Sequence, residues 1–321
     1  YAFVDDPCDA DYVGQGTKYR SANCQLIENT LLGPGVYKAG KTNVQTDSTT
    51  PNLIGGNEGL RPETARTQTL GVVLQPDFIP GFVATADWYR VNITDAIEAP
   101  DAQQVANECV DLSTIANPYC AEIQRTATGN FPGSIKQVTT RQINVASFFT
   151  QGIDFSATYH ANLDDWFHSH LGNIDLHLIG NHLDTVSTTP LPGQAPIQSA
   201  NTAYGGVDGG ATPYWQFNLD AVWNYEAWSF DYNVDWYDGV LNFTRQQMYS
   251  EPNIVDKQFL HQPAHDVHSI QVGYDIREGW NVYAGINNVW YQKPSIGNNG
   301  LPTDPLGRFF YGGVKVDFNP F

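Results

Sequence analysis

Residues 215–237 read WQFNLDAVWNYEAWSFDYNVDWY, and this stretch decides the fold class. Apolar and aromatic residues hold every second position from Trp215 to Tyr225, and the alternation resumes at Trp228 and runs to Trp236. Asn, Asp, Gln and Ser hold most of the positions between them. Because successive side chains of a strand point to opposite faces, the stretch predicts two antiparallel strands joined by a tight turn at Ala227, with one apolar and one polar face.

The same alternation recurs along the chain and predicts nine strands in all. Many of them exceed ten residues, which is longer than the usual strand of a soluble protein. No segment indicates a helix beyond short turns within loops. The predicted strands cover residues 67–76, 81–97, 143–162, 171–184, 213–226, 228–237, 265–277, 279–287 and 308–318.

The connections between these strands alternate in length. In an up-and-down meander every second connection lies on the same side, so all the long loops meet at one end of the sheet and all the short turns at the other. Short turns at one end and long loops at the other are typical of outer-membrane barrels. Aromatic residues near the strand ends favour two girdles at the membrane interfaces. The long connections follow residues 97, 185, 240 and 291, and the short ones lie at 77–80, 163–170, 227 and 278.

Composition narrows the class of protein further. The chain has 321 residues, with 16 Lys and Arg against 34 Asp and Glu, a formal net charge of −18 that argues against nucleic acid as a partner. No run approaches the ~20 apolar residues of a membrane helix, so only strands could span a bilayer. A soluble β-sandwich or propeller would explain the alternation, but not strands of this length or loops sorted by side.

Four cysteines form two local pairs, Cys8 with Cys24 and Cys109 with Cys120. The first pair lies before the first predicted strand and the second in the long connection after residue 97. Both lie in polar stretches without a histidine at zinc-finger spacing. Two short-range disulfides are therefore expected, which implies an oxidising compartment. Four free thiols in a cytosolic protein are the alternative.

Five motifs, in this order along residues 56–318, resemble the C-terminal part of the β-barrel of TonB-dependent outer-membrane receptors. That family has an N-x-x-L-x-P-E stretch, a D-Y-Y-x-I-x-I-x-D-x-I strand, an Asn followed by G-[IV]-[DE], an N-[LV]-[FT]…K-P segment and a G-R-x-[FY]-[FY] entry to its last strand. The matching segments here are GNEGLRPE at 56–63, DWYRVNITDAI at 87–97, Asn144 with GID at 152–154, NNVWYQKP at 287–294 and GRFFY at 307–311.

The resemblance implies an all-β fold, an antiparallel up-and-down transmembrane barrel of 22 strands in which these nine would be the last. The family's plug domain and TonB box have no counterpart here, so the plug and the other strands are expected in a missing N-terminal part or on another chain. Residues 1–66 would form an extracellular loop region with a disulfide, and 67–321 the C-terminal strands and loops. Expected partners are outer-membrane lipid, the TonB complex through that plug, and the remaining strands, in the bacterial outer membrane.

The implied function is uptake of a scarce large nutrient, an iron–siderophore or similar chelate or a carbohydrate. A passive porin-like barrel, or a secreted lectin or enzyme, is the alternative. No catalytic motif, cofactor site or metal site is expected. Acidic residues on the polar strand faces could steer a cationic or metal-chelate ligand, and loop tyrosines could stack on it. The candidate ligand-binding residues are Asp220, Asp235, Tyr204, Tyr214 and Tyr249.

Overall fold

The computed structural model describes residues 1–44, 49–167, 169–189, 195–203, 210–250, 253–293 and 307–317. Its strands, in chain order, are β1 (Asn52–Gly55), β2 (Thr64–Leu74), β3 (Phe82–Glu98), β4 (Ile123–Arg125), β5 (Ile135–Arg141), β6 (Ile143–Asn162), β7 (Asn173–Thr189), β8 (Ile197–Gln198), β9 (Trp215–Tyr225), β10 (Trp228–Tyr237), β11 (Val240–Leu241), β12 (His261–Gln262), β13 (His265–Arg277), β14 (Trp280–Asn287) and β15 (Phe309–Val316). Its α-helices are α1 (Arg20–Leu32), α2 (Ala102–Asp111), α3 (Pro118–Ala121), α4 (Leu163–Phe167) and α5 (Arg245–Ser250), and a 3-10 turn spans Lys257–Phe259.

Nine strands form one meandering sheet, in the order β15-β14-β13-β10-β9-β7-β6-β3-β2, and β8 pairs with β7 at its side. These are the nine strands that the alternation predicts. The observed bounds agree with the predicted ones at 143–162, 228–237 and 265–277, and differ by a few residues elsewhere. Within the described residues, β2 and β15 end the sheet and do not pair with each other. The sheet is therefore open at both edges.

Cross-strand pairing separates the two faces of the sheet as the alternation requires. On one face, Trp223 lies opposite both Ile174 and Phe230, and its ring stacks on that of Phe230 with 5.1 Å between centroids. On the other face, Asp220 lies opposite both Asn233 and His177. Since paired residues of an antiparallel sheet share a face, one surface is largely apolar and aromatic and the other largely polar.

Tight turns join neighbouring strands at one end of the sheet. Glu226 adopts φ +49° between β9 and β10, and Gly279 adopts φ +74° between β13 and β14. These left-handed conformations suit the short hairpin connections of a twisted sheet. The long connections leave from the opposite strand ends, as predicted.

The chain folds into two units. We call Tyr1–Thr64 with Asp95–Ala146 the disulfide unit, and Ala65–Thr94 with Ser147–Phe321 the sheet unit. The disulfide unit holds α1, α2, α3 and a small sheet in which β5 pairs in parallel with β1 and antiparallel with β4. Its centre is formed by side chains such as Tyr37, Val44 and Val105, together with Cys8, Cys24 and Cys109.

The expectation that the chain has no helix beyond short turns is wrong. Helix α1 has 13 residues and α2 has 10. The residues that α1 buries are Arg20, Asn23, Cys24 and Glu28, so its inward face is polar and shows no apolar period. No helix in the described part of the chain is both long enough and apolar enough to cross a membrane.

Candidate functional site

Two adjoining cavities of about 460 and 450 Å³ lie against the polar face of the sheet unit, and Asp235 and Tyr237 line both of them. We call this surface the polar groove. The first cavity extends across β3, β6, β7, β9 and β10, and the second across β9, β10, β13 and β14 to Tyr311 of β15. The polar groove exists because the strand period places every second side chain of adjacent strands on one surface.

Carboxylates are the charged groups of the polar groove, and none of the described residues that line it is Lys, Arg or His. Amide side chains hold some of these carboxylates in place. Asn218 Nδ2 donates to Asp235 Oδ1 at 2.7 Å, and Asn181 Nδ2 donates to Asp154 Oδ1 at 2.5 Å. Because no described cation lines the groove to balance these charges, the groove favours positively charged or hydrated groups over anions.

Two long connections of the sheet unit pack against one end of the polar groove. Tyr237 packs against a small buried cluster of Ala203 and Val240, which come from two different long connections. The Ala203 amide donates to the Leu241 carbonyl at 2.8 Å, and the Leu241 amide donates to the Asn201 carbonyl at 2.9 Å. The connections after β7 and β10 are therefore fastened to each other.

Tyrosines on β14 and β15 lie flat against the polar face because glycines face them. A Cβ atom at Gly285 would collide with the Tyr311 ring, and a Cβ atom at Gly313 would collide with the Tyr283 ring. The Tyr311 hydroxyl also donates to Gln271 Oε1 at 3.2 Å. Tyr237 and Tyr311 are not among the predicted ligand-binding residues, although both stand at polar positions of the alternation.

The structure brings together two of the five predicted ligand-binding residues. Asp220 and Asp235 both line the second cavity of the polar groove. Tyr214 does not line it; its carbonyl accepts hydrogen bonds from the Leu183 amide and the His182 ring. Tyr249 lies on α5 with 90% of its surface exposed, and Tyr204 lies outside the described residues.

In the disulfide unit, hydrogen bonds between residues of three quoted motifs link the segment at 56–63 to strands β3 and β6. The amide group of Asn144 accepts a hydrogen bond from the Arg61 amide and donates to the carbonyls of Arg61 and Asp95, each at 2.7 Å. Glu63 Oε1 accepts from the Ile97 amide at 2.6 Å, and Arg61 forms an ion pair with Asp95 at 3.1 Å. The N-x-x-L-x-P-E segment is thus tied to the end of β3 and the start of β6.

A buried ionic cluster lies in the same unit. Arg125 donates to both carboxylate oxygens of Asp6 at 2.7 and 2.9 Å, and to the Gly133 carbonyl at 2.7 Å. Its guanidinium also lies 3.1 Å from Glu28 Oε1. Glu28 is fully buried, and neither of its carboxylate oxygens receives a hydrogen bond. The guanidinium of Arg125 is therefore the ionic partner of two buried carboxyl groups, those of Asp6 and Glu28.

Burial raises the pKa of Glu28 to about 7, against the attraction of Arg125, and the neighbouring Asp6 adds to the rise. Burial also raises the pKa of Tyr37, with Glu28 and Asp6 contributing. The Tyr37 hydroxyl donates to the Cys8 carbonyl at 2.6 Å. The cluster thus contains a carboxyl group that titrates near neutral pH inside a packed interior.

Both predicted disulfides are present. Cys8 is bonded to Cys24, and Cys109 to Cys120. The first ties the N-terminal segment to α1, and the second ties α2 to α3. No group of three or more His, Cys, Asp or Glu side chains in the described residues is arranged to hold a metal ion.

Comparison with solved structures supports the barrel fold. A mutant of the ferric enterobactin receptor of Pseudomonas aeruginosa, in complex with enterobactin, superimposes with a TM-score of 0.51 at 14% identity. The siderophore receptor PirA of Acinetobacter baumannii gives 0.51 at 16% identity. Each comparison covers 83% of this chain and 33% of the receptor, so the chain spans about a third of the length of these proteins.

Among proteins with curated descriptions, none matches this sequence. The family model described as "TonB dependent receptor-like, beta-barrel" matches residues 19–289, which is most of the chain. The match includes the nine-strand region up to the end of β14, and four of the five quoted motifs begin within it. The chain belongs to the TonB-dependent receptor-like β-barrel family.

Proposed function

We propose that this chain forms part of the barrel wall of an outer-membrane receptor that takes up a scarce large nutrient by a TonB-driven process. The family match over residues 19–289 carries this proposal. The two-faced sheet supports it, because a barrel strand must present apolar groups to lipid and polar groups to a water-filled interior. No sequence motif favours an enzyme.

The membrane arrangement follows from the sheet. The apolar face, with stacked pairs such as Phe217 and Trp236 at 5.1 Å, would face the lipid. The guanidinium of Arg277 lies 4.5 Å from the centroid of the Trp280 ring, an arrangement suited to the interface by the short turns. The disulfide unit and the long connections would be extracellular, including the predicted loop region 1–66.

The open edges call for further strands. Each unpaired backbone group costs several kcal/mol in hydrocarbon, so both β2 and β15 need a partner inside a bilayer. We propose that strands outside this sequence pair with both edges. A plug domain, also outside this sequence, would connect the barrel to the TonB complex.

The polar groove suggests a class of ligand. Its carboxylates, with Asp220 and Asp235 among them, favour a neutral or cationic iron chelate over a strongly anionic one. Tyr249, exposed on α5, and Tyr214 would offer rings for stacking at the end of the sheet from which the long connections leave. A carbohydrate is the second ligand class that such a polar, ring-bearing surface would take.

Uptake by cells that produce the intact receptor tests the proposal. Radiolabelled iron would be supplied as a neutral trihydroxamate chelate or as an anionic tricatecholate chelate, with and without a functional TonB complex. We expect TonB-dependent uptake that is faster for the neutral chelate. Uptake that persists without TonB would favour a passive porin, and no uptake of either chelate would contradict an iron cargo.

Paired variants test the ligand site. Asp220→Asn and Asp235→Asn remove charge from the polar groove, whereas Asp275→Asn removes charge from the same face outside both cavities. We expect the first two variants to lower the affinity for the neutral chelate severalfold and the third to leave it unchanged. Equal effects of all three would show that the groove does not select the ligand.

A further inference from the structure

The buried ionic cluster of the disulfide unit joins three segments that are distant in sequence. Asp6 comes from the N-terminal segment, Glu28 from α1 and Arg125 from β4. The side chains of Asp6, Glu28 and Arg125 are 3%, 0% and 6% exposed. Any change of charge at this point therefore acts on the packing of all three segments at once.

The N–H groups of Arg125 donate hydrogen bonds to Asp6 but none to Glu28. Arg125 makes a bidentate hydrogen-bonded pair with Asp6 and donates a further bond to Gly133, whereas Glu28 has only the ion pair at 3.1 Å. The Asp6 pair already neutralises the guanidinium, so an ionised Glu28 would add an uncompensated negative charge in the interior. Such a charge is strongly destabilising unless hydrogen bonds satisfy it, and Glu28 receives none.

The segment around Gly133 packs directly against the Glu28 carboxyl group. Gly133, with φ +98°, approaches so closely that even a Cβ atom there would collide with Glu28 Oε2 and approach Val44. Tyr37, which is fully buried, directs its hydroxyl to the Cys8 carbonyl and so offers no bond to Glu28. Movement of the segment around Gly133 away from α1 would give a charged Glu28 access to water.

Among the described residues, the other titratable groups near the cluster do not relieve this charge. Asp9, on the N-terminal segment, accepts a bond from the Val44 amide and is itself acidic. On α2, which also packs against α1, Asp111 is engaged by Arg20 and Glu108 lies near Tyr119. Of the charged neighbours, Arg125 lowers the pKa of Glu28 and Asp6 raises it.

We propose that Glu28 is a pH-responsive element of the disulfide unit: protonated, it allows α1 to pack closely against β4 and the segment around Gly133, and its ionisation loosens this packing. The direction follows from linkage. The carboxyl holds its proton more tightly in the folded unit than in an unfolded chain, so the packed state is favoured at acidic pH and disfavoured as the pH rises towards and past neutrality.

Hydrogen exchange of the purified protein in detergent tests this proposal. With a pKa near 7 when packed and near 4.5 when open, protection of the α1 and β4 amides should fall about 70-fold between pH 5 and pH 8, after correction for intrinsic exchange. Amides of β14 in the sheet unit, a strand without carboxyl or imidazole side chains, serve as internal references. Equal protection of α1 at the two pH values would overturn the proposal.

Two variants separate Glu28 from the other acids. Glu28→Gln keeps the shape but cannot ionise, so protection of α1 and β4 should become independent of pH. Glu58→Gln, at an exposed carboxyl of the same unit, should retain the wild-type dependence. A pH dependence that survives Glu28→Gln would assign the effect to another group.

Infrared difference spectra of the wild-type protein give a second measurement that needs no variant to fold. A protonated carboxyl in an apolar environment absorbs apart from ionised carboxylates. We expect such a band at pH 5, and its loss by pH 8 should follow the loss of α1 protection. Absence of the band at pH 5 would show that Glu28 is ionised in the packed state and would refute the proposal.

Discussion

Removing the Asn144 side chain should release the N-x-x-L-x-P-E segment from the strands that it contacts. In the disulfide unit this one amide group accepts from the Arg61 amide and donates to the carbonyls of Arg61 and Asp95. Asp95 adopts φ +54°, a conformation that few side chains other than Asp and Asn tolerate well. Asn144→Ala removes all three bonds and leaves the ion pair between Arg61 and Asp95 intact.

The expected magnitude follows from the number of bonds and their exposure. A typical intramolecular hydrogen bond contributes about 1 kcal/mol net, so three bonds set an upper value of about 3 kcal/mol. Because Asn144 is only half-buried, water can replace part of what is lost. We therefore expect local opening to become easier by about 2 kcal/mol, which is an increase of about 30-fold in the opening constant.

Hydrogen exchange at the Arg61 amide measures this change directly. In Asn144→Ala it should exchange about 30-fold faster than in the wild-type protein. Asn57→Ala is the matched control, because Asn57 bonds to the Gly59 amide and the Gln142 carbonyl but not to Arg61. If the Arg61 amide keeps its wild-type rate in Asn144→Ala, or if both variants accelerate it equally, this account of Asn144 is incorrect.

Three further changes probe other parts of the fold. Replacing Cys109 and Cys120 by Ser should lower the stability of the disulfide unit by about 3 kcal/mol and leave β-sheet circular dichroism of the sheet unit unchanged, since closing a loop of 11 residues mainly restricts the unfolded chain. Leu219→Arg, in mid-strand on the apolar face, should destabilise the protein in bilayers by about 2–4 kcal/mol in urea titrations, whereas Asn233→Arg on the polar face should fold normally. Glu226→Gly should stabilise the β9–β10 turn by about 1 kcal/mol in the same titrations, because Glu226 adopts φ +49°.

The strands of the sheet could be predicted from the sequence because a half-buried sheet imposes period two on every strand. Because β9 and β10 are paired, Phe217 and Trp236 lie on the same face. A shift of one residue in the pairing of a strand would move all its apolar side chains to the other face. The same logic located Asp220 and Asp235 on the polar face. It could have located Tyr237 and Tyr311 as well, since both occupy polar positions of their strands.

Helices α1 and α2 are not predicted from the sequence, and the reason differs between them. Helix α1 buries polar residues that find ion pairs on distant segments: Arg20 meets Asp111, and Glu28 meets Arg125. A search for apolar periodicity cannot find such a helix, because its burial depends on partners about a hundred residues away. The sequence does carry a signal for α2, since its N-cap Asp101 and Gln104 form a capping box ahead of an apolar period.

The two units depend on different interactions for their stability, and this explains where the cysteines lie. The sheet unit combines long hydrogen-bonded ladders with an apolar face suited to lipid, so it needs few other cross-links. The disulfide unit has a small core and buries ionic pairs, which are weak contributors to stability because desolvation offsets much of their attraction. Two disulfides compensate by restricting the unfolded chain, one fixing the N-terminal segment on α1 and the other fixing α3 on α2. Reducing agents should therefore act on the disulfide unit, whereas agents that disrupt lipid packing should act on the sheet unit.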